Sequence, residues 1–161
     1  MTRKAFTIEE ANETIPLLDS ILAELDTMKA SANRISQQLQ IIEVLWGESA
    51  SQPTNPDHGE YTQLRHSIDE HLSDMDGFVR REILGRGLRF PVGGLEHGLI
   101  DFPTTFDGRW VFLCWKRGET AISHWHEIEA GFRGRQEVCA EHHITMGKMD
   151  HGQIDDSRLD D

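Results

Sequence analysis

The stretch LDSILAELDTMKASANRISQQLQIIEVLW, Leu18 to Trp46, decides the fold of this chain. Leu18, Ile21, Leu25, Met28, Ala32, Ile35, Leu39, Ile42 and Trp46 follow one another at alternating steps of three and four. That is the a/d spacing of a heptad, which puts every one of these side chains on a single stripe of an α-helix. Just upstream, Thr7 and Glu10 are spaced as a capping box, in which each side chain satisfies a backbone N–H of the other residue. Pro16 lies too far inside to continue a helix comfortably, so the spacing predicts a short helix over Ile8 to Thr14 and a kink or restart at Pro16. At about 1.5 Å per residue, a helix from Pro16 to Trp46 is roughly 45 Å long. Part of so long an apolar seam would lack cover within one chain, which predicts a homodimer or close packing on the C-terminal half.

Outward from this helix, GESASQPTNPDHG (Gly47 to Gly59) reads as a loop, with Asn55-Pro56 or Asp57 starting the next helix. Tyr61, Leu64, Ile68, Leu72, Met75, Val79 and Ile83 again recur at three or four, giving a second amphipathic helix that stops near Gly85 and Gly87. Beyond Gly87 the period becomes extended. LRF, LIDF, RWVFLCW and AISHWH are short β-branched and aromatic runs punctuated by Gly, Pro and Asp. Asp107-Gly108 suits a tight type I′ hairpin turn, and Trp110 to Trp115, apolar on both faces, reads as a central strand. The expected class is α+β: a long N-terminal antiparallel helical hairpin (about 7–86), then an antiparallel sheet of three to four strands (about 87–136). These make one domain over 1–140. Residues 141–161 lack periodicity, end acidic and read as a disordered tail.

A chain of 161 residues with two cysteines can bury a core without disulfide staples. No run approaches the roughly 18 apolar residues of a membrane span, and no apolar core follows the basic start, so the expectation is a reduced, cytoplasmic protein. The net charge of −12 argues against nucleic-acid binding, which needs a surplus of Lys and Arg. Charge is unevenly spread, however: residues 80–135 hold nine Lys/Arg against seven Asp/Glu. A locally basic segment in an acidic body could take one small anion.

Four blocks, FTIEEANETIPLL (Phe6 to Leu18), GLIDFP (Gly98 to Pro103), LCWKRGE (Leu113 to Glu119) and WHEIEAGFRGRQ (Trp125 to Gln136), together resemble the bacterial domain-of-unknown-function 2203 family. The resemblance spans about Phe6 to Gln136 and implies a set of marked positions without a chemistry. Those that carry over are Gly98, Asp101, Phe102, Pro103, Cys114, Trp115, Gly118, Glu119, Trp125, His126, Glu127, Gly131, Phe132, Gly134 and Arg135. His124 departs from the family pattern, which has an aromatic residue there.

Three kinds of site can be built from these residues. Residues i and i+2 of a strand share a face, so His124 and His126 could hold a divalent transition metal such as zinc, with Cys114 and with Asp101 or Glu127 as oxygen ligand. Whether Cys114 reaches them is a matter of parity. A two- or four-residue turn after Lys116 sets Leu113 opposite His124, whereas a three-residue turn sets Phe112 there and Cys114 on the histidine face. Alternatively, His126 and Glu127 could move a proton while Arg133 and Arg135 hold a carboxylate or phosphate. The plain reading is that His126 donates to a carbonyl, Glu127 pairs with an Arg, and Arg135 pairs with Asp101 or Glu119. The function expected is a non-catalytic binding or assembly module that homodimerises through its long helices. The alternative is a metal-binding protein or small enzyme with Asp101, Glu119, His126, Glu127 and Arg135 in one cleft.

Overall fold

The computed structural model describes residues 3–148 and 154–160. It is a mixed α+β protein in which a long N-terminal helix precedes a four-stranded antiparallel sheet. The residues form two compact units, 21–80 and 1–20 with 81–161.

Helix α1 runs from Ile8 to Trp46 and begins as the capping box requires. The Thr7 N–H donates to Glu10 Oε1 at 3.2 Å and the Glu10 N–H to Thr7 Oγ1 at 3.1 Å. The expected restart at Pro16 does not occur, for Pro16 lies within an uninterrupted helix. An interior proline costs about 3 kcal/mol through its missing N–H. Here Ile15 and Leu18 on either side of it are buried, and their burial offsets that cost. In the 21–80 unit α1 buries Ile21, Leu22, Leu25, Ala32, Leu39 and Ile42. A tight turn at Gly47–Ser51 follows, fastened where Trp46 Nε1 donates to Asp57 Oδ2 at 2.7 Å. Helix α2, His58–Glu82, leaves its seam only half-buried, with Leu72 exposed. Among the described residues no helix is long and apolar enough to cross a membrane.

In the other unit a one-turn helix, α3 (Gly94–His97), leads into β1 (Leu99–Phe106), β2 (Arg109–Lys116), β3 (His124–Glu127) and the two-residue β4 (Gln136–Glu137), in that order across the sheet. Asp107 and Gly108, at φ 52° and 75°, make the β1–β2 turn, a backbone that only Gly and Asn/Asp adopt readily. Strand β2 is central and buried from Trp110 to Trp115. The LRF run contributes a single bridge, Arg89 to Asp101, on the outer edge of β1.

Pleating sorts the strands into two faces. One carries Ile100, Phe102, Leu113, Trp115 and Trp125. Phe6 stands edge-on to Phe102 at 5.4 Å, and the Thr104 hydroxyl donates to the Phe6 carbonyl at 2.6 Å, so the segment before α1 closes against this side. The other face carries Leu99, Asp101, Trp110, Phe112, Cys114, Lys116, His124 and His126. The edge of β1 is also occupied. Asp101 exchanges two backbone bonds with Arg89, the Pro103 carbonyl accepts from the Phe6 N–H, and the Thr105 carbonyl from the Gly147 N–H.

The stretch expected to be a tail instead begins with α4, Ala140–Thr145, and buries Met146. Leu159 and Ile154 pack with Ala5, Trp110 and Phe112. Apolar side chains among the acidic ones give these segments something to bury. The remainder of the expected tail, 149–153 and 161, lies outside the described residues.

Candidate functional site

The β2–β3 register settles the parity. Cys114 lies opposite His124, and Phe112 opposite His126, across a seven-residue connection, 117–123. That is neither turn length expected from the sequence, yet it has the parity of the odd one. Glu119 shapes the wide turn: its carboxylate accepts from the Lys116 N–H and its carbonyl from Trp115 Nε1 at 2.9 Å. Because Asp101 lies opposite Cys114 on the other side, strand geometry alone brings Asp101, Cys114, His124 and His126 to one face.

Three of these converge. Asp101, Cys114 and His126 are each 0% exposed, and one donor atom of each lies within 4.8 Å of the other two. His126 Nε2 is 3.0 Å from Asp101 Oδ1, and Nδ1 is 2.7 Å from the Glu127 carbonyl. A carbonyl can only accept, so Nδ1 carries a proton, and a carboxylate opposite Nε2 calls for a second one. Burial pulls the imidazole pKa down, but the hydrogen bond and charge of Asp101 outweigh it and raise it overall. Asp101 Oδ2 accepts from Arg89 Nε at 3.3 Å, and that guanidinium lies 3.7 Å from the centre of the Phe112 ring. The Cys114 thiol is pushed up to about 12, first by burial and then by the Asp101 charge. It is a poor nucleophile in this state.

The remaining candidates do not join this cluster. Arg135 Nη2 donates to both oxygens of Glu119, at 2.8 and 3.1 Å, and to the Cys114 carbonyl at 3.1 Å. Glu127 points to the opposite face, where Arg109 Nε bonds its oxygens at 3.1 and 3.0 Å and its Nη2 also donates. The Arg109 hydrogen bond holds that carboxyl below the usual range, against burial, which raises it. His124 is half-buried and turned to Ser123 Oγ at 2.9 Å, with Glu119 Oε2 at 3.9 Å. Arg133 is exposed on the wall of an open pocket. His126, Glu127, Arg135, Asp101 and Glu119 thus form three separate ion pairs rather than one cleft.

Elsewhere His66 pairs with Glu70 along α2, and His142 is buried against the Phe106 and Trp125 rings. Sequence reasoning missed Arg89. Its signal was a lone cation inside the LRF run, beside an edge strand that carries an acid.

The sequence profile of the family described as uncharacterized conserved protein (DUF2203) matches residues 4–138, and the chain belongs to that family. No curated protein and no solved structure matches the chain.

Proposed function

We propose that this member of the DUF2203 family binds one divalent transition metal of the zinc type through Asp101, Cys114 and His126. The convergence of an oxygen, a sulfur and a nitrogen donor in one buried spot carries the reading. His126 supports it further: a metal-ligating histidine typically donates its other ring N–H to a carbonyl or carboxylate, as Nδ1 does to Glu127. Arg89 would then hold the second oxygen of Asp101, fixing the carboxylate from outside the coordination sphere.

With metal–ligand bonds of about 2.0–2.3 Å, tetrahedral donors stand roughly 3.3–3.8 Å apart. The His126–Asp101 pair at 3.0 Å therefore has to open by only a fraction of an ångström. Binding expels the thiol proton and the Nε2 proton, since only thiolate and neutral imidazole are ligands. Three protein ligands leave a fourth position for water or an outside ligand, the pattern of catalytic zinc sites rather than structural ones.

The test is elemental analysis of protein prepared without a histidine tag, followed by cobalt(II) titration of chelator-stripped protein. One equivalent of metal and a thiolate-to-cobalt absorption band are expected, with the band lost in Cys114→Ser while the far-UV spectrum is kept. A wild-type protein that is isolated without metal and takes up none refutes the site.

A second reading, assembly with another copy of the chain, is favoured by one observation. Most of the heptad seam expected to dimerise is buried, with Met28 and Ile35 half-buried and Trp46 exposed at its end, but a different stripe of α1 is bare: Ile41 is 61%, Val44 80% and Leu45 68% exposed, beside Gln37 and Gln40. Among the described residues no charged one lines that patch.

A further inference from the structure

We propose that the pocket beside the Leu99–Lys116 pair is a binding site for a small organic anion, a carboxylate or phosphate headgroup carried on a flat apolar body. Leu99 and Lys116 are register partners, one step along the same sheet face from Asp101 and Cys114. The loop around α3 supplies Val92 and His97, and the turn after β3 supplies Phe132 and Arg133. Together they line an open pocket of about 600 Å³, a volume within the range of small-molecule sites.

The lining is basic. In a chain of net charge −12, the ionisable side chains that line this pocket among the described residues are His97, Lys116 and Arg133, with no acidic one. The nearby Glu119 carboxylate is already held by Arg135 and by the Lys116 backbone, so it does not neutralise the Lys116 ammonium group. Instead that group lies 5.6 Å from the Phe132 ring centre. Cations with no carboxylate to pair with favour an anion, and an arginine offers it a planar fork of donors.

The lining is also apolar. Phe132 and Val92 stand exposed at the mouth and Leu99 forms the floor, so the ligand carries a hydrophobic part as well as a charge. Gly131 adopts φ 61°, and a Cβ on Gly134 would lie 2.3 Å from that of Ala130, so the turn presenting Phe132 and Arg133 depends on glycine at both positions. A Cβ on Gly94 would likewise lie 2.8 Å from the Leu99 carbonyl, which holds the α3 wall close to the strand.

None of this depends on a metal. The test titrates benzoate, phenyl phosphate and benzyl alcohol into the full chain, stripped of metal, by calorimetry. At least one of the two anions is expected to bind more tightly than about 1 mM, and the uncharged alcohol at least about tenfold more weakly. Benzoate binding alone identifies a carboxylate ligand, and phenyl phosphate binding alone a phosphate. Arg133→Ala and Lys116→Met, both at exposed positions, should each weaken binding by about tenfold, and Arg34→Ala should leave it unchanged. The proposal is overturned if neither anion binds, if the alcohol binds equally well, or if the pocket variants bind like the wild type.

Discussion

Asp101 has both oxygens committed, one to His126 and one to Arg89, and none of its surface reaches solvent. Removing the charge leaves the Arg89 guanidinium against an amide and takes away the charge that keeps the buried His126 ring protonated. In chelator-stripped protein Asp101→Asn should therefore lose about 3–5 kcal/mol in urea denaturation. A loss under about 1 kcal/mol would mean that the three groups do not form a buried network. At this scale the sequence was legible in part. Asp101 and His126 stood out as chemistry-bearing residues, whereas Glu127, a candidate beside them, lies on the other face of the sheet. Arg89 could not be read, because its role depends on a tertiary bridge between the chain before α3 and the edge of β1. The face of Cys114 was equally hidden, since it is fixed by a turn whose length follows from where the Glu119 side chain bonds.

Helix α1 shows how far local signals reach. The Thr7–Glu10 box forms as its spacing dictates, because capping is settled by four consecutive residues. Pro16 was misread because its cost is local, whereas the burial that offsets it is tertiary. Thr7→Ala should lower the unfolding free energy by about 1 kcal/mol, the usual value of such a cap, with no change in the sheet by near-UV circular dichroism. Glu10 gives the same helix end a pH dependence. The hydrogen bond from Lys4 holds its carboxyl below the ordinary 4.5, against burial, which raises it, and Thr7 adds to the lowering. A folded-state value below the unfolded one stabilises the fold above pH about 4.5 and ceases to do so as the pH falls through the folded value. Wild type should thus lose stability on acidification below about pH 4.5, and Glu10→Gln should show a shallower loss. Equal slopes would show that the box does not respond to charge.

At the scale of the whole molecule, a net charge of −12 makes copies of this chain repel one another. The uncharged stripe Ile41–Val44–Leu45 is where two such copies can meet with least repulsion. Sedimentation at rising concentration should reveal a dimer, and the double variant Ile41→Glu, Val44→Glu, at two exposed positions, should be a folded monomer. A wild-type monomer at about 100 μM, where any biologically useful contact would be populated, sinks the assembly reading. The heptad period found the helix but not the surface it leaves bare, because which stripe is covered depends on the rest of its unit. The edge of β1 narrows the manner of association still further. With Asp101, Pro103 and Thr105 already bonded to Arg89, Phe6 and Gly147, and with proline offering no donor, the strand has few free backbone groups to template a foreign strand. Three short segments from other parts of the chain thereby guard this edge against amyloid-type growth, so that if copies of the protein do associate, extending the sheet there is not the route.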